Sequence, residues 1–416
     1  MRIGYACLAL GVPGSDLKSC TRKNADEERL AALIAHNLSA LERMVDYNLE
    51  NGIRLYRISS DLIPFGSSPV NTLDWANRFA DDFSRIGEKI RAGGMRVSMH
   101  PGQYTVLSAT DDGVAARALE DLAYHAHVLD ALGTGTDSRI ILHLGGVYGD
   151  KAAALKRFEA RFTALEPAVQ GRIALENDDR LYTVEDALNA GLRLGAPVVF
   201  DNLHHAVNPS GSAEARYWID ACRETWKAAD GPQKIHYSQQ DPDKKPGSHS
   251  ATIAVGPFME FWNAAGREDL DIMLEVKDKN LSAVKCALCA APQMSLPTVE
   301  REWARYKYAV LERSHAAYLD IRAMFRDGNI TPQSFYALVE RALALPLEQG
   351  GAANAAQHVW GYFKTYATDT EKRVFQAALA RYLTGRGTLD AVKQRLQSMA
   401  EAYGMRYLSE SYYFWL

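Results

Sequence analysis

The amino-acid sequence predicts an α/β protein: a (β/α)8 TIM barrel with an added C-terminal all-helical region. Three observations predict it. Over the first 276 residues, short β-rich runs alternate with longer stretches of helical periodicity, the rhythm of βα units. Imidazoles and carboxylates stand at or just past the ends of successive runs between His100 and Glu275, and the carboxyl ends of parallel barrel strands converge on one mouth. After Pro297 the rhythm stops and helix formers take over.

The strand candidates are Arg2–Cys7, Arg54–Ile58, Met95–His100, Ile140–Leu144, Arg172–Glu176, Val198–Asp201, Lys234–Tyr237 and Asp271–Glu275. Helical periodicity separates them over Glu27–Asn51, Trp75–Ala92, Val114–Leu132, Lys151–Leu165, Val184–Leu194 and Glu214–Ala229, with a short seventh crossover near Pro257–Ala265. A doubly wound open sheet is the second choice, but it gathers ligands at one switch point and not from six consecutive strands. Residues 277–298 lose the rhythm and read as a connector between a barrel over 1–276 and a helical appendage over 299–416. The appendage reads as about five amphipathic helices: Val299–Phe325, Pro332–Ala344, Ala352–Tyr366, Thr370–Leu383 and Leu389–Tyr403. The end, Tyr412 to Leu416, is too apolar for a free tail and is expected to dock against the body.

Length and composition fit this plan. At 416 residues the chain accommodates a barrel of roughly 250 residues plus something smaller. Its 47% hydrophobic and 24% charged residues are those of an ordinary globular protein. No apolar stretch approaches the ~20 residues of a membrane span, and the opening MRIGYACLAL reads as a strand, not a signal peptide. The expected location is cytoplasmic, with no membrane partner. The five cysteines are expected to be reduced, and Cys286 and Cys289, despite their CxxC spacing, to be packing residues. Net charge is −4, but it is unevenly spread: residues 301–416 hold 15 Lys+Arg against 11 Asp+Glu, and the remainder 32 against 40. Several of those acids are candidate metal ligands, and two or three divalent ions would reverse the local field.

The chemistry is read from joint placement. His100, His143, His204, His236 and His249, with Glu176, Asp201 and Glu275, fall at strand ends or in loops on one predicted side. His36, His125, His127, His315 and His358 fall inside helical patterns and read as ordinary packing residues. Imidazole and carboxylate are the ligands that Zn²⁺ or Mn²⁺ selects, and carboxylates ending apolar strands are costly to bury unless paired or coordinated. Eight ligands exceed one ion's needs, so a two- or three-metal site is expected, of the kind that hydrolyses phosphate esters or isomerises sugars. Lys234 and His236, two apart on a strand, share a face. The Lys234 ammonium would then point toward the cations and be driven toward its neutral form, in which it can add carbon dioxide to give an anionic carbamate; a plain phosphate clamp is the competing reading. Lys244 and Lys245, in a Pro/Gly loop, suit phosphate positioning.

The sequence resembles the UV damage endonucleases, related in fold to endonuclease IV and xylose isomerase. The resemblance rests on segments in family order over roughly residues 1–280: Gly4-Tyr5, Arg57 to Phe65 (RISSDLIPF), His100-Pro101-Gly102-Gln103-Tyr104, His143-Leu144-Gly145-Gly146, Leu175 to Asp178 (LEND), Asp201 to His205 (DNLHH), Ser238 to Pro242 (SQQDP), Pro246 to His249 (PGSH) and Leu274 to Lys277 (LEVK). It implies a TIM barrel holding up to three ions, Mn²⁺ by preference with Zn²⁺, Co²⁺ or Mg²⁺ as alternatives. It also implies nicking of UV-damaged double-stranded DNA 5′ to cyclobutane pyrimidine dimers, 6-4 photoproducts and some abasic sites, in a nucleoid-associated repair role. The family's ligands fall on the eight residues above, its modified lysine on Lys234, its lesion-probing pair on Gln103-Tyr104 and a pocket tyrosine on Tyr5. A glutamine–tyrosine wedge would fill the stack left by an extruded base, and damaged bases are the cheaper ones to extrude.

The expected division of labour has Glu176 bridging two ions. His100 and His143 hold one, Asp201, His236 and Glu275 the other, and His204 with His249 a third, with Glu176, Lys234 and His236 carrying the catalytic roles. Ser68 stands where family members often carry histidine, residues Val12 to Arg22 match poorly, and the appendage has no counterpart in the minimal barrel. Two rival readings use the same ligand types: a xylose isomerase-like sugar isomerase or epimerase, and a non-catalytic lesion-binding protein.

Overall fold

The computed structural model describes residues 2–265 and 269–416. Eight strands, β1 (Ile3–Ala6), β2 (Leu55–Arg57), β3 (Arg96–Met99), β4 (Arg139–His143), β5 (Ile173–Glu176), β6 (Val198–Asp201), β7 (Lys234–Tyr237) and β8 (Asp271–Leu274), close in sequence order into a parallel barrel. β8 pairs back onto β1. This is the TIM barrel the sequence predicts, and the region after residue 300 is helical. Gly4 is required where β1 meets β2: a Cβ there would lie 1.9 Å from the Leu55 carbonyl oxygen.

Successive strand residues point to opposite faces, so the inward-facing residues form layers. The layer two residues below the strand-end ligands contains Leu55, Ser98, Ile141, Ala174, Val199, Lys234 and Met273. Ile141, Ala174 and Val199 form a buried cluster capped by Trp226, and Leu55 and Met273 pack with Ala6. Lys234 is the one charged member of this set. Deeper still, Arg96 is held by Asp271 at 3.0 Å and by the carbonyls of Asp137, Asp230 and Pro232, while Arg139 pairs with Asp230. The charges at the barrel floor are thus mutually satisfied, as buried charges must be.

Two compact units are resolved. One is the barrel with its helices: Met1–Ala9, Gly14–Ile253 and Glu260–Ala287. The other is Leu10–Pro13, Ala254–Met259 and Leu288–Leu416, with a core including Leu311, Ala355, Val359, Phe363, Phe375, Val392, Leu396 and Tyr413. Within that unit Tyr412 and Tyr413 are buried and the Tyr412 ring packs edge-on against Tyr306 at 4.7 Å, so the apolar end is docked.

Two expectations about elements need correction. The stretch read as a connector contains an 11-residue helix, Asn280–Ala290. Leu281, Ala283, Val284, Cys286 and Cys289 are buried in it together with Asn280, Ser282 and Lys285; a helix buried nearly all round lacks the polar stripe by which amphipathic helices are recognised. The long pattern over Val299–Phe325 is two helices, Leu296–Arg313 and His315–Asp327. Ser314 takes extended backbone angles and caps the second by accepting from the Ala317 N–H, the usual role of serine at a helix start.

Candidate metal centre

The mouth of the barrel is built around Glu176, the last residue of β5, which is fully buried. Its Oε2 lies 3.0 Å from His100 Nε2 and 3.1 Å from His143 Nε2. Its Oε1 lies 2.7 Å from His236 Nδ1 and 3.8 Å from His204 Nδ1. Strand register explains part of this: His143 is level with Glu176, and Asp201 with His236. His204 arrives by a local device. Asp201 caps the short helix Asn202–Val207, accepting from the His204 N–H at 2.7 Å, and the turn brings His204 Nδ1 within 3.8 Å of the Asp201 carboxylate. Asn177 braces the same turn, exchanging hydrogen bonds with the Asp201 backbone and accepting at its carbonyl from His204 Nδ1.

Among the described residues, three groups of side chains bring their ligand atoms within 4.8 Å of one another: His100–His143–Glu176, His100–His236–Glu275 and Glu176–Asp201–His204. Each could hold one ion. The grouping differs from the sequence expectation. His204 joins Asp201 and Glu176 because it lies one helical turn past Asp201, and His236 with Glu275 faces His100 across the barrel. His249, in the loop closed by the Gln240–His249 bridge, lies 3.7 Å from Glu275 and joins none of these groups among the described residues. Two buried atoms in the cluster, Asp201 Oδ2 and His236 Nε2, have no hydrogen-bond partner. Buried polar atoms in this state call for a partner, and an all-nitrogen and oxygen donor set with this much negative charge fits divalent ions such as Mn²⁺ or Zn²⁺.

The electrostatics follow from burial and proximity. Burial disfavours the Glu176 carboxylate, but His236 and His143 outweigh it and hold it well below the ordinary range. Burial likewise opposes a charged His204, yet Asp201, Glu176 and Glu275 raise it to about 9. Asp201 goes the other way, raised because burial dominates its attraction to His204. Lys234 is fully buried, its Nζ has no hydrogen-bond partner, and burial with Arg96, Arg57 and Arg139 nearby pushes it well below its ordinary value. A lysine in that state presents a neutral amine directly beneath the ligand layer.

One residue of the site carries no role in the sequence reading. Arg57, ending β2, pairs with Glu275 through a charge-assisted hydrogen bond, both side chains largely buried. Its signal was available: Arg57 faces inward at the same level as the other strand-end residues. His125, read as ordinary packing, is fully buried and contacts Ser60 Oγ at 2.8 Å; Ser60 in turn donates to the His100 carbonyl at 3.0 Å. It therefore supports a ligand without being one. His205 lies between Phe200 and Trp218, outside the cluster.

The other sequence candidates divide. Gln103 and Tyr104 are exposed beyond β3, Tyr104 at 67%. A cavity of about 400 Å³ beside them is lined by His100, His143, Gln103, Gly146, Tyr148 and Arg180 among others. Lys244 and Lys245 are exposed on the loop after β7, with Lys244 Nζ 3.5 Å from Asp241. Tyr5 is not brought to the mouth. It is level with Tyr56 and Leu274 on the outward face of the strands, completely buried with its ring 5.2 Å from that of Tyr56. A lesion contact is therefore not open to it, because the pleat sends it into the layer under the helices. Ser68 lines a separate cavity with Trp75, Tyr124 and His127, and no ligand group of the cluster comes from that position.

Residues 1–301 match the family model of the UV-endonuclease UvdE. The chain belongs to that family. A UV DNA damage endonuclease of Clostridium perfringens (strain 13 / Type A) is 39% identical over 287 residues, covering 69% of this chain and 70% of that one. One from Bacillus velezensis is 32% identical over 262 residues, 62% of this chain and 82% of its own. The crystal structure of SacUVDE superposes with a TM-score of 0.66 at 35% identity, covering 69% of this chain and 96% of that one. Residues 307–416 match a different model, a protein of unknown function (DUF1722). The UvdE-family match thus takes in the whole ligand cluster, and the helical unit has a separate affiliation.

Proposed function

We propose that this chain is a metal-dependent endonuclease that nicks UV-damaged duplex DNA 5′ to cyclobutane pyrimidine dimers, 6-4 photoproducts and some abasic sites. The observation that carries the reading is the convergence of four imidazoles on the buried Glu176 carboxylate in a chain of the UvdE family. The reaction is assigned to the barrel over residues 1–276, and the helical region over 299–416 is left outside it. The cofactor is two or three divalent ions, Mn²⁺ being the preferred one, held by His100, His143, Glu176, Asp201, His204, His236, His249 and Glu275. When bound, such ions acidify an attacking water and neutralise the departing oxygen.

The chain's own residues do the rest. Glu176 belongs to two of the three ligand groups and fixes their spacing. Arg57 keeps Glu275 ionised, and Asn177 and Ser60 hold the His204 and His100 segments in place. Lys234, neutral by burial, is suited to carbamate formation, which would supply an anion beneath the ligands. Gln103 and Tyr104 would probe the lesion and occupy the gap it leaves, since aromatic stacking contributes ~1–3 kcal/mol per base. Lys244 and Lys245 would contact phosphates. The products would be a 3′-hydroxyl and a 5′-phosphate, and the setting the cytoplasmic nucleoid.

The test is an end-labelled duplex with one defined photoproduct, incubated with Mn²⁺ and with chelator. A Mn²⁺-dependent cut immediately 5′ to the lesion is expected. Intact duplex in both arms, or equal cutting of undamaged duplex, would remove the reading.

A further inference from the structure

The helical unit carries a side-chain cluster that the nuclease reading does not use. Lys307 and Tyr308 come from helix Leu296–Arg313, Tyr362 from the turn after helix Gln349–Trp360, and Tyr407 from helix Arg406–Ser409. The Tyr308 hydroxyl donates to the Tyr362 hydroxyl at 3.0 Å. The Tyr362 and Tyr407 rings stack with centroids 5.6 Å apart and planes 28° from parallel. The Lys307 ammonium lies 4.7 Å from the centre of the Tyr308 ring and 4.9 Å from that of Tyr407. Tyr308 is buried, but Tyr362 and Tyr407 remain 39% and 40% exposed. Burial would raise the Tyr362 phenol, yet the hydrogen bond from Tyr308 and the Lys307 charge outweigh it and lower it.

A purely structural role explains part of this. One cation over one exposed ring stabilises by about 0.5–1 kcal/mol. It does not explain why a second half-exposed ring, about 100 residues further along, stacks beside an ammonium already placed over a buried one. Part-exposed aromatic rings with a cation alongside are what proteins present to an unpaired base and its phosphate. The charge pattern agrees: the region from 301 onward carries 15 Lys+Arg against 11 Asp+Glu in a chain of net charge −4.

We propose that Lys307, Tyr308, Tyr362 and Tyr407 form a nucleotide-binding site, with the phosphate taken by the ammonium and phenol hydroxyls and the base stacked on the exposed rings. The nucleotide is either free or part of an unpaired strand. The proposal does not depend on the barrel's activity.

The test uses the full chain in chelator with a fluorescent oligothymidylate carrying 5-bromouracil. Affinity is read by anisotropy, and photocrosslinks are mapped by peptide mass spectrometry. Crosslinks on the peptides containing Tyr362 or Tyr407 are expected. They should be lost in Lys307→Gln and Tyr407→Ala, with binding to this site weakened ~10-fold, equivalent to about 1.4 kcal/mol. Displacement by thymidine monophosphate would assign the free nucleotide as ligand; failure to displace would assign the strand. Crosslinks confined to barrel peptides, or no crosslinks, would overturn the proposal, and the wild-type map decides this even if a variant fails to fold.

Discussion

Replacing Arg57 with methionine tests both the electrostatics of the mouth and the presence of a cation there. Arg57 and Glu275 are paired with only 13% and 10% of their side chains exposed. Arg57→Met strips Glu275 of its principal countercharge. Losing one partner of a buried pair costs about 3–5 kcal/mol. The lower end applies, because the His236 and His249 rings, at 3.3 and 3.7 Å, remain as polar neighbours of the Glu275 carboxylate. At roughly 2 °C per kcal/mol for a domain this large, the metal-free variant should melt about 6 °C below wild type near neutral pH. Saturating Mn²⁺ should close at least half of that gap, since an ion beside Glu275 supplies the missing positive charge. The pH dependence has a definite sign. Burial raises the Glu275 carboxyl, but Arg57 and His236 outweigh it and hold it well below the usual carboxylate range. Its contribution is therefore present above the unfolded value of about 4.3 and fades as pH falls. Thermal unfolding followed by circular dichroism, with and without Mn²⁺, reads all three effects. A metal-free deficit under ~2 °C would refute the charge argument, and a deficit indifferent to Mn²⁺ would refute an ion near Glu275.

Further outcomes follow from the same geometry. Glu176→Gln removes an anionic donor from two of the three ligand groups, so elemental analysis should find at least one fewer Mn²⁺ per chain. Nicking should fall by roughly 100-fold or more; full metal content with near-normal nicking would contradict the bridging role. Tyr104→Ala should lower the preference for damaged over undamaged duplex by ~10-fold, within the range of one lost base stack, and leave metal content unchanged. Metal-free His204 is raised to about 9 because its carboxylate neighbours outweigh burial. The stability its charge provides is complete below its unfolded value near 6.5 and is lost as pH rises through about 9. Mn²⁺ must displace that proton, so uptake should strengthen ~10-fold per pH unit up to that point, and calorimetry in buffers of different ionisation enthalpy should detect proton release that vanishes in His204→Gln. Lys234→Met replaces a buried amine lacking any hydrogen bond with an apolar side chain. It should leave stability unchanged or raise it by up to ~1–3 kcal/mol, read as an equal or higher melting temperature, while nicking falls; a lower melting temperature with normal nicking would show that Lys234 serves the fold alone.

Much of the site was legible because strand-end chemistry is local. His143, Glu176 and Asp201 each close a strand whose own residues announce it, and His236 stands one residue before the end of β7; their shared direction follows from period-two alternation. Arg57 obeys the same rule but was absorbed into a motif, since a single arginine after two apolar residues carries no sign of its distant partner. Tyr5 was misplaced for a different reason. In a parallel barrel both strand faces are buried, so Ile3, Gly4, Tyr5 and Ala6 look alike from either side. Pairing with Tyr56 and Leu274 is what turns Tyr5 outward.

The sequence by itself determined the barrel, the order of its strands and the identity of the residues that end them, because hydrophobic periodicity and the cost of burying unpaired charge act within a few residues. Which ligands meet was decided only by closure of the barrel. His204 turns back onto Asp201 and Glu176, His100 reaches across to both Glu176 and the neighbourhood of Glu275, and the Lys234 amine is left without a hydrogen-bond partner beneath them. Those pairings depend on distances around a closed ring of strands, and such distances arise from register and curvature that no single segment encodes.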